Sequence, residues 1–413
     1  MAVRRSTTTV LFAALLVTLV TRSAAFAQTR APEGGLSLEA AVAMALAQNP
    51  HLQAARLKRP VDAAGVAVAA ERPNPEISYE FNRDFPRHNF SVAIPLEIGG
   101  QRGRRIDVAR ATATSGEAAL AQETFTLTND VRRAYFALAA AQARADAAAD
   151  LRALSARARD AAATRLSLGD APRLELLQAE LELAAADNDM TTAVAAVAAN
   201  RAALNTLLGR APATPVAATE ALATRGLPGA DALLARANAA STDLAAIDAD
   251  IATQTARRAL AAAMKTPDVT VGGGVTTGVP DEFSTGWRAT AAFTVPLFTQ
   301  HQAGVAVEEA ELSRLRAERA AILADITGHV AEARARAAAA EAQLDRFEKD
   351  ILPRALEVER MAEDSYRSGQ SNLAALLQTL QSSRTMRYRA LDAALDYQLA
   401  LADVERAMGV AIK

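Results

Sequence analysis

The chain has 413 residues, of which 51% are hydrophobic but only 4% aromatic, with no cysteine and a formal net charge of −2. The missing cysteines exclude disulfides, thiolate metal sites, cysteine nucleophiles and a lipid-bearing N-terminal cysteine, and the near-neutral charge gives no footprint for nucleic acid. Alanine, the strongest helix former and small enough to let helices approach closely, is over-used, so the composition points to long, tightly packed helices.

Residues 1–27 read as a signal peptide: Arg4 and Arg5 are a positive start, Val10 to Val20 an apolar stretch, and Ala25-Phe26-Ala27 an A-x-A cleavage site. The apolar stretch is too short to span a bilayer, and no later segment approaches about eighteen uncharged apolar residues, so no transmembrane helix is expected. The mature chain is expected to start at Gln28. Ser37 then caps a predicted helix that Asn49-Pro50 breaks and restarts, and that runs to about Glu71.

Residues 76–83 alternate, with Ile77, Tyr79 and Phe81 on one face. Residues 89–96 alternate again, with Phe90, Val92, Ile94 and Leu96 against Asn89, Ser91 and Ala93. Period two predicts strands, each of about the nine to eleven residues that cross a bilayer at a tilt. Gly99-Gly100 bends strand into helix, with Arg102, Arg104 and Arg105 expected at a membrane edge. A helix without proline follows from Gln101 to about Leu166, roughly 100 Å long. It turns at Leu168-Gly169 and returns as Pro172–Leu208. A linker rich in Pro, Ala and Thr covers 210–229, and a helix is expected over Ala230–Met264.

Strands come again at Val269 and Val271 and over Ala289, Ala291, Phe293 and Val295, with the only tryptophan, Trp287, at a strand start. The second long helix, Gln302 to Ser368, is interrupted only by Gly304, Gly328 and Pro353. Leu312, Leu315, Ile322 and Ile326 sketch a stripe near a seven-residue period, as in coiled coils. It turns at Gly369 and returns as Asn372–Met408.

The second series repeats the first. Gly169 and Gly369 each lie nine residues before a glutamine, Gln178 and Gln378, and Gly209 and Gly409 end equivalent helices 200 positions apart. Leu52 and Pro75 match Leu244 and Pro267, and Pro95-Leu96 matches Pro296-Leu297. The expected division is a first repeat over 28–209 (strand hairpin about 76–97, helical hairpin about 100–209), the linker, and a second repeat over 230–413 (about 268–297 and 302–409). The fold class is mainly α with a small β part: long coiled-coil helices and two β-hairpins per chain. Four strands cannot close a barrel, and an open edge in lipid leaves backbone groups unsatisfied. Either the hairpins are soluble or several chains pool them, and three chains would give a twelve-stranded barrel.

These features resemble the TolC family of outer-membrane efflux channels over nearly the whole mature chain. "LSLEAAVAMALAQNPHL" resembles the family's opening helix, ended by Asn-Pro. Tyr366 with Gly369, then Leu373 through Gln378, is similar to one turn of its long hairpins, and Leu168-Gly169 to the other. "PLEIGGQRGRR" (95–105) is similar to the CzcC-like heavy-metal branch. The resemblance implies a homotrimer in outer-membrane lipid, with twelve strands as barrel and twelve helices as periplasmic tunnel, docking onto a periplasmic adaptor and an inner-membrane RND-type pump. The implied cargo is heavy-metal cations. The same fold serves multidrug and type I secretion channels, and a soluble periplasmic coiled-coil scaffold is the rival from another class.

The candidate docking surface is Leu168, Gly169 and Asp170 with Tyr366, Arg367, Ser368, Gly369 and Gln370. The competing reading is purely geometric, since glycine permits the positive φ of a helix reversal. Relatives can carry aspartate rings above the second turn; here the matching positions are Ala375 and Gln378, while Glu175 stands at the site equivalent to Ala375. Glu175 and Gln378 are candidate pore constrictions: three symmetry-related Glu175 side chains would favour cations, and a solvated surface glutamate is the alternative. His51, His88, His301 and His329 are scattered, without the three or four clustered ligands of a stable zinc site. No H-E-x-x-H, G-x-S-x-G or G-K-[ST] motif occurs, so neither enzyme chemistry nor a cofactor is expected.

Overall fold

Asn49 ends one helix and starts the next. Its carboxamide oxygen accepts from the backbone N–H groups of His51 (2.9 Å) and Leu52 (3.1 Å), so α1 (Leu38–Gln48) gives way to α2 (Pro50–Arg56) with Pro50 in its first turn. The same side chain donates to the Leu207 carbonyl at 2.9 Å. The computed structural model describes residues 35–223, 226–280, 285–294 and 297–412. The expected cleavage site at Ala25 and Ala27, and Val295 and Pro296, lie outside the described residues.

The helix expected to continue to Glu71 breaks once more, at Leu57, before α3 (Lys58–Ala69). Pro60 has no N–H to give the Arg56 carbonyl, and the chain tightens, Leu57 bonding back to Ala54 at 3.1 Å. A six-residue β1 (Glu76–Phe81) and β2 (His88–Leu96) follow. β1 is shorter than the expected 76–83. Then come α4 (Gln101–Leu168) and α5 (Arg173–Leu207). The helix expected over 230–264 is two, α6 (Ala230–Ala240) and α7 (Thr242–Ala263), parted at an extended Ser241. β3 (Asp268–Thr277) and β4 (Gly286–Thr294) form the second hairpin.

The second long helix is α8 (Gln302–Arg346), one π-helical turn (Phe347–Ile351), and α9 (Leu352–Arg367). Gly304 and Gly328 do not interrupt it. The irregular turn lies just before Pro353, which can neither donate to the helix nor fit its ring against the preceding turn. α10 (Leu373–Met408) completes the chain.

The hairpins are not separate. β2 pairs antiparallel with β3, from His88↔Thr277 to Leu96↔Val269, giving one sheet of order β1-β2-β3-β4. This register lines up the apolar residues of all four strands: Ile77 opposite Val92, Tyr79 opposite Phe90, Phe90 opposite Val275, and Val275 opposite Trp287. The other face carries Ser78, Ser91, Thr276, Arg288 and Thr290.

Where strand passes into helix, Gly100 takes φ +75°. Arg102 donates to the Ala70 carbonyl (2.6 Å), and Arg105 joins Glu97 and the Glu71 carbonyl, so these arginines tie α3, β2 and α4 together. Part of the linker is held by side chains of α4 and α5. The Tyr135 hydroxyl donates to Leu36 O (2.8 Å) and accepts from Thr219 N (3.0 Å), and Asn205 holds the Pro212 and Thr214 carbonyls.

Candidate functional site

Both turns use one backbone device. At the first, Gly169 adopts φ +83°, its N–H bonds to Leu166 O (3.1 Å), and Asp170 N bonds to Arg165 O (2.9 Å). At the second, Gly369 adopts φ +73°, with bonds to Tyr366 O (3.1 Å) and from Gln370 N to Ser365 O (2.8 Å). This pair of bonds satisfies the last carbonyls of each helix and requires a left-handed residue, which favours glycine. Pro172 starts the first return helix. Asn372 caps the second by accepting from Ala375 N at 2.9 Å.

Leu168, Gly169, Asp170, Arg367, Ser368, Gly369 and Gln370 are all exposed at these tips. Tyr366 is not: its side chain is 1% exposed, inside a cluster with Leu154, Ala158 and Ala162 of α4 and Leu373, Leu376 and Leu380 of α10. It is therefore no part of an accessible docking surface in the protomer. Arg165, in the last turn of α4, lies over the Tyr366 ring at 5.0 Å. Arg165 did not stand out in the sequence; one signal was an aromatic residue one turn before a turn glycine.

Glu175 also turns toward Tyr366. Its Oε2, the Tyr366 hydroxyl and Arg165 Nη1 are buried, and none completes a hydrogen bond of good geometry. Burial first, and then the Glu175 charge, push the Tyr366 hydroxyl above the usual tyrosine range. In the protomer Glu175 is thus partly buried beside Tyr366 of the second hairpin. Gln378 is exposed, in a groove with Arg354, Val358 and Thr379.

Ion pairs reinforce the contact. Arg157 of α4 reaches Glu363 of α9 at 3.0 Å. Arg384 of α10 reaches Glu182 (3.4 Å) and Asp189 (3.3 Å) of α5. Among the described residues, no group of three or more His, Cys, Asp or Glu side chains could hold a metal ion.

The sheet is the second functional surface. Ile77, Tyr79, Phe81, Phe90, Trp287 and Phe293 are between 52% and 84% exposed on one continuous face. An apolar surface of this extent marks contact with lipid or protein. Among the described residues, β1 and β4 are the outer strands of the sheet and pair on one side only. Among the described residues no helix is long and apolar enough to cross a membrane.

Comparison with known proteins agrees with this geometry. The sequence profile of the family described as "Outer membrane efflux protein" matches residues 41–210 and 233–410. The cobalt-zinc-cadmium resistance protein CzcC of Cupriavidus metallidurans is 31% identical over 185 residues, 44% of this chain and 44% of that protein. The chain thus aligns with less than half the length of that relative. Among solved structures, CusC superposes with a TM-score of 0.74 at 18% identity, over 91% of this chain and 92% of that one. The open state of the MtrE outer membrane channel of Neisseria gonorrhoeae gives 0.73 at 20% identity, over 91% and 89%. The likeness to TolC-type channels read from the sequence holds.

Proposed function

This chain belongs to the outer membrane efflux protein family, and from that premise we propose that three copies form one continuous exit duct for heavy-metal cations. The protein is located at the outer membrane and is not an enzyme. In the proposed assembly, β4 of each copy pairs with β1 of the next. Within one chain β1 and β4 run antiparallel, as the outer strands of an all-antiparallel sheet of even strand number must, so the ring closes without a parallel pair. Twelve strands then surround a lumen lined by the Ser, Thr and Arg288 face, with the apolar face in lipid.

The glycine turns lie at the far end of α4 from the sheet, about 100 Å away by helix rise. The exposed tips are the surface a periplasmic adaptor would meet, and an inner-membrane RND-type pump would supply the energy. The duct itself is passive. Opening would part the helical hairpins where Arg165 and Glu175 meet Tyr366.

The cargo reading rests on one observation, the 185-residue alignment with a cobalt-zinc-cadmium resistance protein. Deleting the gene is expected to sensitise cells to cobalt, zinc or cadmium more than to dyes and detergents. Unchanged metal tolerance together with new dye sensitivity would move the cargo to the multidrug class.

A further inference from the structure

Where α4, α10, the linker and the junction of α8 with α9 come together, the protomer holds a cavity of about 450 Å³. Its floor is small and apolar: Ala139 of α4, Leu344 of α8, and Ala390 and Ala394 of α10 are each at most 8% exposed. The linker is strapped across it. Gln142 accepts from Ala218 N at 3.0 Å, the Tyr135 hydroxyl accepts from Thr219 N and Glu220 N, and Gln398 donates to the Ala223 carbonyl at 2.7 Å. Helices of both repeats therefore border one space of fixed outline, of a size that small ligands fill.

The rim is acidic. Asp146 of α4, Glu220 of the linker and Glu348 of the π-helical turn line the cavity, and among the described residues its lining holds no basic side chain. Glu220 spends one oxygen on Leu38 N at 2.9 Å and keeps the other. Asp146 and Glu348 are exposed and take part in no ion pair or hydrogen bond among the described residues. A neighbouring cation of each is engaged elsewhere, Arg144 with Asp392 at 3.0 Å and Lys349 with Asp345 at 2.6 Å. Counted back 200 positions, Glu348 falls at Ala148, which is 1% exposed in an unbroken α4. The carboxylate and the π-helical turn that carries it thus belong to the second repeat alone, and single π-helical turns recur at functional sites.

The three carboxylates do not converge. Among the described residues no group of three or more could hold one metal ion, so a single point charge does not satisfy them together. Their complement is a ligand with separated positive charges joined by an apolar chain. A basic peptide would also bring backbone N–H and C=O groups that need partners, whereas the floor is apolar and the Gln142 oxygen is already used. We propose that this cavity binds a linear aliphatic polyamine, its methylenes on the alanine and leucine floor and its ammonium groups at Asp146, Glu220 and Glu348. All of these groups belong to one protomer, so the site requires neither the trimer nor a metal cargo.

The test is spermidine binding to the full detergent-extracted protein, read by isothermal titration calorimetry. Glu348→Gln and Asp146→Asn are each expected to weaken binding several-fold. Glu357→Gln, which removes an exposed carboxylate outside the cavity, is expected to leave it unchanged. All three positions are exposed, so the neutral variants keep the fold, and circular dichroism on the same samples checks this. Butylamine, which has the chain but one charge, and magnesium ion, which has charge but no chain, are expected to bind clearly more weakly than spermidine. No spermidine binding would overturn the proposal. Equal losses in Glu357→Gln and Glu348→Gln, or magnesium bound as tightly as spermidine, would mean diffuse attraction of counter-ions and would overturn it too. Trilysine bound more tightly than spermidine would make this a peptide site and overturn the polyamine assignment.

Discussion

The guanidinium of Arg165 lies 5.0 Å from the centre of the Tyr366 ring, joining the last turn of α4 to the last turn of α9. Each residue sits within four positions of its own turn glycine, so this contact holds the two hairpin tips together. A cation over a tyrosine face contributes about 0.5–2 kcal/mol, more as water is excluded. Glu175 adds a buried negative charge on the same hydroxyl.

Arg165→Ala is therefore expected to raise the open probability of the channel in planar bilayers several-fold, without changing the amount of protein in the membrane. Recordings at equal protein load would check this. An unchanged open probability would show that the contact does not restrain the tips.

Glu175→Gln is expected to lower the Tyr366 pKa toward the ordinary tyrosine value, because it removes a charge that opposes ionisation. The sign follows from the raised folded-state pKa. The favourable neutral form is fully present below the unfolded pKa, about 10, and is lost as pH rises through the higher folded value. Phenolate absorbance, compared between Glu175→Gln and the same variant with Tyr366→Phe, reads the shift.

The glycines that reverse the chain should not be equivalent. A Cβ at Gly169 or Gly369 meets no atom within 4 Å, so alanine there bears only the left-handed backbone cost, about 1–2 kcal/mol. A Cβ at Gly209 would stand 2.5 Å from the Gln48 carbonyl oxygen, and one at Gly409 would stand 2.6 Å from Ser241 Oγ. Gly209→Ala is expected to lower the melting temperature clearly more than Gly169→Ala. Thermal unfolding followed by circular dichroism checks the order, and equal losses would contradict it.

Much of this was legible because it is local. Glycines at fixed spacing, the Asn49 cap and period-two alternation in the strands each act through neighbours in the chain. The breaks at Leu57 and Ser241 were less visible: the first follows from Pro60 three residues on, and nothing at Ser241 announces itself as strongly as Asn49-Pro50. The pairing of β2 with β3 was not legible, since the partners are some 180 residues apart and alternation does not name a partner. The neighbour of Glu175 was not legible for the same reason, because Tyr366, which it faces, lies on a distant helix.

The two faces of the sheet give opposite expectations. Val92→Lys puts a charge on the apolar face, at a cost of about 2–4 kcal/mol near the middle of a bilayer, and should sharply reduce protein in the outer membrane. Ser91→Lys, one residue away on the polar face, should insert normally and alter ion preference. Outer-membrane fractionation distinguishes them, and equal insertion would contradict the assignment of faces.

The central claim is that the exposed β1 and β4 edges are closed by other copies of this chain. The most direct measurement is the protomer mass of the detergent-extracted outer-membrane protein, by light scattering corrected for bound detergent. The account predicts three protomers and a twelve-stranded ring. A stable single protomer extracted from the outer membrane would contradict it.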